Sequence, residues 1–270
     1  MEIVGYLAAI GIGITLGLLG GGGSILTVPV LVYLFSINPI SATAYSLFIV
    51  GLTSAIGSVS YLRQNLIEFK TAIIFGVPSI VSVLVIRRFI LPALPDLIIQ
   101  TDLFALTKEN FILLLFALVM QVAGISMLRS TNQTKKEIDA NDQLVHFTKK
   151  NYFILLLAGL SEGFLSGMVG AGGGFLIIPA LVLLCKINIK TAVGTSLFII
   201  SIKSLLGFFA DKSLRTTDWK LLLSLTAFAC LGLAVGIFIS KKTENAKLKP
   251  LFAYFLIAMS MFMLIKEIVS

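Results

Sequence analysis

Along most of the chain, apolar residues run on without the polar positions that recur on the outer face of a soluble protein's helix. Apolar stretches cover residues 3–35, 42–62, 71–91, 110–129, 151–185, 191–210, 219–240 and 250–265. A helix needs about 20 residues to cross about 30 Å of hydrocarbon, and most of these stretches are close to that length. The pattern predicts an all-α polytopic membrane protein of about eight transmembrane segments. Two stretches depart from it. Residues 3–35 and 151–185 are too long for one ordinary span, and each carries a glycine run near its middle. Glycine costs a helix interior about 1 kcal/mol per residue. The first long stretch is therefore expected to form a full helix over 3–20, a glycine turn, and a short helix over 24–35 of about 18 Å. That short piece cannot cross alone.

The two broken stretches are copies of one another. GLLGGGGSILTVPVL from Gly17 matches GMVGAGGGFLIIPAL from Gly167, and the register continues without a gap to Lys70 and Lys220. Over these 54 positions 19 residues are identical, among them Gly20/Gly170, Pro29/Pro179, Asn38/Asn188 and Ser46-Leu47-Phe48/Ser196-Leu197-Phe198. The chain divides into a first transmembrane repeat (1–129), a polar linker (130–149) and a second repeat (150–270). Segment 92–109 reads as a further connection with no counterpart in the second half.

Composition agrees with this class: 57% of residues are hydrophobic, only 13% are charged, and mean hydropathy is +1.02. Too few polar residues remain to coat a soluble core. The net charge of +8 does not point to nucleic acid, because the basic residues read as short loop clusters such as Arg87-Arg88, Lys135-Lys136, Lys149-Lys150 and Lys241-Lys242. Such clusters set orientation in a membrane. If each long stretch crosses once, the halves are parallel and the loops carry 11 basic residues against 9, which is no bias. If each short piece turns back, the halves are inverted and the split becomes 13 against 7. That split favours inverted repeats, a cytoplasmic linker and both termini outside. The N-terminus lacks a basic n-region and a cleavage pattern, so it reads as the first span. Cys185 and Cys230 lie in apolar runs with no paired spacing and read as small core residues.

Duplicated, glycine-broken hydrophobic segments are the sequence mark of a secondary transporter's binding site. Backbone groups freed at a helix break must face protein or a watery cavity. A following helix presents uncapped N–H groups and a positive dipole end, which suits an anion. The residues that would supply this site are Gly20, Gly21, Gly22, Gly23 and Ser24, with Gly170, Gly172, Gly173 and Gly174; tight helix packing is the alternative role for such glycines. Hydroxyls cluster just beyond. Ser46, Ser196, Tyr45 and Thr195 divide evenly between substrate contact and interhelical bonding, and Asn38 and Asn188 read as caps. Two ionisable residues lie deep inside apolar runs, Glu162 and Lys203, where each costs at least ~2.5 kcal/mol on insertion scales. Either Lys203 neutralises an anionic substrate while Glu162 relays a proton, or the two form a structural ion pair. Gln121 reads as a bond to a neighbouring helix. The lone His146 sits in the linker, and no H-E-x-x-H, Cys/His metal spacing or Walker motif is present, so neither an enzyme nor a cofactor is expected.

The paired GLLGGGGSILTVP and GMVGAGGGFLIIP segments, each followed by A-x-x-x-S-L-F, resemble those of the sulfite exporter TauE/SafE family, also called the toluene sulfonate uptake permease family. The resemblance implies a multi-pass inner-membrane carrier for small anions, typically sulfite, sulfoacetate or other sulfur-containing organic anions, driven by an ion gradient. Glu162 and Lys203 fall outside the matched motif. The expected function is thus transport of a small anionic solute across the bilayer by alternating access, with assembly into homo-oligomers left open. The alternatives are a cation or metal carrier with Glu162 as ligand, and a non-transporting membrane assembly protein.

Overall fold

A computed structural model describes residues 2–101, 104–133, 149–185, 187–211, 217–240 and 245–269. The core of the polar linker, with His146, lies outside the described residues, as do the loop lysines Lys186, Lys212, Lys241 and Lys242. The protein is an all-α, multi-pass membrane protein with one small hairpin added. Helix α1 (Glu2–Leu19) ends at the first glycine run. A 3-10 turn (Gly22–Leu26) follows, leading into α2 (Thr27–Phe35). Next come α3 (Pro39–Leu62) and α4 (Phe69–Val85), which continues through a π-turn (Ile86–Ile90) into the single-turn α5 (Leu91–Ala93). Strands β1 (Leu97–Thr101) and β2 (Phe104–Thr107) precede α6 (Lys108–Gln133). The second half holds α7 (Lys149–Val169), α8 (Gly174–Cys185), α9 (Ile189–Ala210), α10 (Trp219–Ser240) and α11 (Asn245–Val269).

Local sequence explains the boundaries. Both glycine runs stop a helix, as expected. Asn38 Oδ1 accepts the Ile40 N–H at 2.9 Å, with Pro39 opening α3, and Asn188 Oδ1 accepts the Thr191 N–H at 2.8 Å at the start of α9. These are helix caps. Hydroxyls within the bundle donate to their own helix, Thr53 to the Ile49 carbonyl at 2.6 Å and Thr226 to Leu222 at 2.7 Å. They need no water there. The connection at 92–109 differs from expectation. Pro92 and Pro95 end the helix, and the β-branched run that follows pairs antiparallel, Leu97 with Thr107 and Thr101 with Phe104.

Six helical stretches among the described residues are long and apolar enough to cross a membrane: α3, α4 with its continuation to Ala93, and most of α6, α7, α9 and α10. Of the eight expected segments, two are not among these six: 3–35, which is divided between α1 and the short α2, and 250–265, which lies in α11; the second broken stretch contributes α7 and leaves the short α8. Large apolar side chains point outward along α4, at Phe69, Ile73, Val77 and Val81. A water-soluble helix would put charges on that stripe.

Two compact units cut across the sequence halves instead of separating them. The larger comprises Met1–Ala93 with Phe147–Lys241, the smaller Leu94–His146 with Lys242–Ser270. In the smaller unit α6 and α11 pack antiparallel: Gly124 meets Ile257, and Gln121 lies 4.0 Å from the Met261 sulfur. The Asp96 backbone carbonyl accepts the Lys108 N–H at 2.9 Å and ties the hairpin to α6.

In the larger unit α3 and α9 form the centre, 72% of each apolar window being buried against 39% for α4 and α10. The contacts fix helix directions. Gly13 meets Ala229 and Leu233, and Gly17 meets Gly236 and Ile237, so α1 and α10 run the same way. Gly159 on Phe75, Gly163 on Ser79 and Gly167 on Ile86 make α7 and α4 a second parallel pair. Gly51 faces Leu205 and Gly57 faces Leu197, so α3 and α9 are antiparallel. The ring of Phe48 on Trp219 and Gly57 on Leu233 set α3 parallel to α10; Phe69 on Phe198 and Gly207 on Val83 set α4 parallel to α9. Helices α1, α3 and α10 therefore point one way and α4, α7 and α9 the other. Each runs against its sequence twin. Helix α2 doubles back along α1, with Phe35 over Gly5 and Gly23 against Leu16.

The parallel pairs come close because small residues recur every fourth position along their seams. A Cβ at Gly232 would strike the Ile10 carbonyl. Gly232→Leu is expected to destabilise the protein by about 1–3 kcal/mol, read as a lowered unfolding temperature in detergent; Gly11→Leu, where a Cβ meets nothing within 4 Å, is expected to change it little.

Candidate functional site

The two glycine turns meet inside the larger unit. Gly20 and Gly21 have φ of +64° and +127°, and Gly170, Gly172 and Gly173 have +74°, +65° and +71°. L side chains rarely adopt such angles. Gly21 lies directly on Gly174, so that a Cβ on Gly21 would come within 2.8 Å of the Gly174 Cα. Gly20, Gly21 and Gly23 of the first turn and residues 170–174 of the second are buried. The broken main chain is therefore covered by protein, including Thr43, Val50, Val193 and Ile200 of the two central helices.

Polar groups reach the turns from both halves. Ser196 Oγ donates to the Gly20 carbonyl at 2.8 Å, and Ser24 Oγ donates to the Gly21 carbonyl at 2.7 Å. The Gly173 carbonyl accepts the first-turn N–H groups of Leu176 and Ile177 at 2.9 and 3.0 Å. Ser46, the twin of Ser196, is fully buried, and its hydroxyl has no partner among the described residues. The same holds for the twins Ser54 and Ser204; Ser204 lies beside Gly172. Thr195 and Tyr45 are also twins and make twin bonds. Thr195 Oγ1 accepts the Glu68 N–H at 2.9 Å, where α4 begins, and Tyr45 Oη accepts the Asp218 N–H at 2.6 Å, where α10 begins. Each joins one half to the other.

Lys203 Nζ and Glu162 Oε1 form a buried ion pair, and Ser79 Oγ donates to Glu162 Oε2 at 2.6 Å. The pair touches the second turn: a Cβ at Gly173 would strike Glu162 and lie 2.8 Å from Lys203 Nζ. Of the residues expected at the site, Gly20, Gly21, Gly170, Gly172, Gly173, Gly174, Ser196, Glu162 and Lys203 converge here. Gly22 opens the 3-10 turn, Gly23 packs back on α1, and Thr195 is engaged with Glu68.

Sequence reasoning missed Arg87. It reads as one of a loop pair with Arg88, but the structure buries it completely in the π-turn. Its Nη1 donates to Asp211 Oδ2 at 2.9 Å and to Thr43 Oγ1 at 3.0 Å. The available signal was its place inside the apolar run 71–91, where a charge is as unexpected as at Glu162.

Comparison with known proteins agrees with this architecture. The profile of the family described as Sulfite exporter TauE/SafE matches residues 5–263. The chain belongs to that family. Relatives named "Probable membrane transporter protein" include one from Xylella fastidiosa, 25% identical over 98% of this chain and 97% of its own length. Another, named YunE, from Bacillus subtilis, is 26% identical over 84% of each chain. A third, from Methanocaldococcus jannaschii, is 31% identical over 41% of this chain and 43% of its own. No solved structure matches the chain. The protein is a membrane transporter of the TauE/SafE family and not an enzyme.

Removing one member of a buried ion pair strands the other charge, which costs about 3–5 kcal/mol, whereas removing both is far milder. Lys203→Met and Glu162→Gln are each expected to lower the unfolding temperature in detergent sharply, and the double variant to recover most of the loss. A loss in the double variant equal to the sum of the two single losses would mean that the two charges act separately.

Proposed function

We propose that this transporter is a secondary carrier of small anions, of the sulfite or organosulfonate kind, and that it works by alternating access between two inverted repeats in the inner membrane. The observation that carries this reading is the contact of Gly21 with Gly174. It joins two helix breaks, one from each half, at the middle of the bundle, where main-chain dipoles suit an anion. The opposite direction of each helix and its twin supports the inverted arrangement, and the family's name as a sulfite exporter supports the substrate class.

In this reading the turns Gly20–Ser24 and Gly170–Gly174 supply backbone donors. Ser46 supplies a hydroxyl, Ser196 supplies one once it releases the Gly20 carbonyl, and Thr195 keeps its own O–H to donate. Lys203 exchanges Glu162 for the anion when Glu162 takes up a proton, which couples anion movement to proton movement. Rocking of one half against the other separates the two turns on alternate sides. A metal carrier would need Glu162 as a ligand, and here it already serves Lys203 and Ser79.

The test is flux into proteoliposomes of the purified chain, across sulfite, sulfate, thiosulfate and organosulfonates, with and without a pH gradient. Movement of sulfite or a sulfonate, faster with the gradient, is expected. Gly21→Ala, strained at φ +127° and crowded by Gly174, is expected to cut the rate at least about tenfold, equivalent to about 1.4 kcal/mol. Absence of flux for every anion in folded protein would exclude the reading, and unchanged flux in Gly21→Ala would remove the turns from it.

A further inference from the structure

Arg87 is the largest wholly buried side chain described. A guanidinium carries five N–H donors in a planar fork. Nη1 is engaged with Asp211 and Thr43, but Nε and Nη2 have no partner among the described residues. Leaving such donors bare in a dry interior is costly. The Nε–Nη2 edge is also the side of arginine that presents two parallel N–H bonds to a pair of oxygens.

The surroundings point to a ligand as well. Thr43 takes one bond from Arg87 and lies against Gly170, the first residue of the second glycine turn; a Cβ there would be 2.6 Å from the Thr43 Cα. Gly167 packs on Ile86, next to Arg87 in the chain. Ser166, which precedes Gly167 in the chain, gives its carbonyl to the Gly170 N–H at 2.8 Å, while its buried hydroxyl has no partner among the described residues. Asp211 closes α9, whose terminal carbonyls add negative potential that favours a retained cation. Arg87 and Thr43 come from the first half, Ser166 and Asp211 from the second. The twins of Arg87, Asp211, Thr43 and Ser166 are Ile237, Tyr61, Val193 and Leu16, so neither charge recurs at the matching positions.

We propose that the Nε–Nη2 edge of Arg87, at the seam of the two halves beside the second glycine turn, binds two oxygens of a small oxyanion such as sulfite or a sulfonate. Given the anion-carrier reading above, this makes Arg87 the fixed cationic contact at one end of the route, with Asp211 holding the guanidinium by its other side and Ser166 adding a hydroxyl. Lys203, tied to Glu162, then answers to protonation, while Arg87 keeps its charge throughout.

The experiment measures sulfite binding by calorimetry to the full chain in phosphatidylcholine nanodiscs, and repeats it in discs containing phosphatidylglycerol. Arg87→Lys keeps the charge but loses the two-toothed edge, and sulfite affinity is expected to fall about tenfold or more, the scale of one lost charge-assisted bond. Arg88→Gln, on the exposed side of the same turn, is expected to bind as the unaltered chain does. If Arg87→Lys alters only the response to phosphatidylglycerol, the oxygens belong to a lipid phosphate and not to a free anion, and the edge is still an oxyanion site. Equal sulfite affinity and equal lipid response in Arg87→Lys would overturn the proposal while leaving anion transport intact; failure of the unaltered chain to bind or move any anion would instead remove the transport reading.

Should Arg87→Lys not fold, long-wavelength anomalous diffraction from crystals of the unaltered chain in sulfite decides. The sulfur positions of seven methionines and two cysteines are known from the sequence, so an extra peak is the anion. A peak within hydrogen-bonding reach of Nε and Nη2 supports the proposal. A peak at Lys203 alone, or none in protein that binds sulfite in solution, overturns it.

Discussion

Hydrocarbon offers no partner to a bare N–H or C=O, and this one constraint governs the larger unit. A helix that stops inside the bilayer must bring its loose ends to protein or to a polar solute. This chain stops two helices there, and the two ends cover each other: Gly21 lies on Gly174, and Ser196 and Ser24 bond carbonyls of the first turn. Only glycine satisfies both demands at Gly21 and Gly173, a left-handed backbone and a neighbour within contact of the main chain.

The frame that holds these turns is built from small side chains and hydroxyls. Glycines every fourth residue let α1 lie along α10 and α7 along α4, so that dispersion contacts replace the hydrophobic drive that lipid does not supply. Tyr45 and Thr195 then tie the start of one half's helix to the centre of the other by equivalent bonds. Such a frame has two matched seams, and a change at one has a geometric counterpart at the other.

Charge breaks that symmetry. Glu162 with Lys203, and Arg87 with Asp211, are present in one arrangement and have no charged twins. Arg87 with Asp211 links the two halves directly, and Glu162 with Lys203, both from the second half, is joined to the first through Ser79. Both pairs sit beside the second glycine turn, so the two turns share a sequence plan but not their electrostatics. A carrier that must couple to a gradient and favour one direction needs such an inequality, and symmetric packing alone does not provide it.

Much of this was legible from the residues in order. Apolar run length required a membrane, consecutive glycines required broken helices, and an ungapped register between residues 17 and 220 required two copies of one plan. Those features follow from local chemistry and cannot be changed by context. Glu162 and Lys203 also stood out, because a charge within an apolar run is always exceptional. Other features depended on which helices touch. The split of basic residues among the loops favoured inverted halves, but the direction of each helix against its twin emerged only from pairings such as Gly51 with Leu205, because loop charge does not say which helices touch. Arg87 looked like a loop residue until the π-turn carried it inward to Asp211, 124 positions away in sequence. Whether a hydroxyl is engaged was likewise decided by tertiary packing: Thr195 meets the Glu68 N–H of the other half, whereas Ser46 has no partner among the described residues.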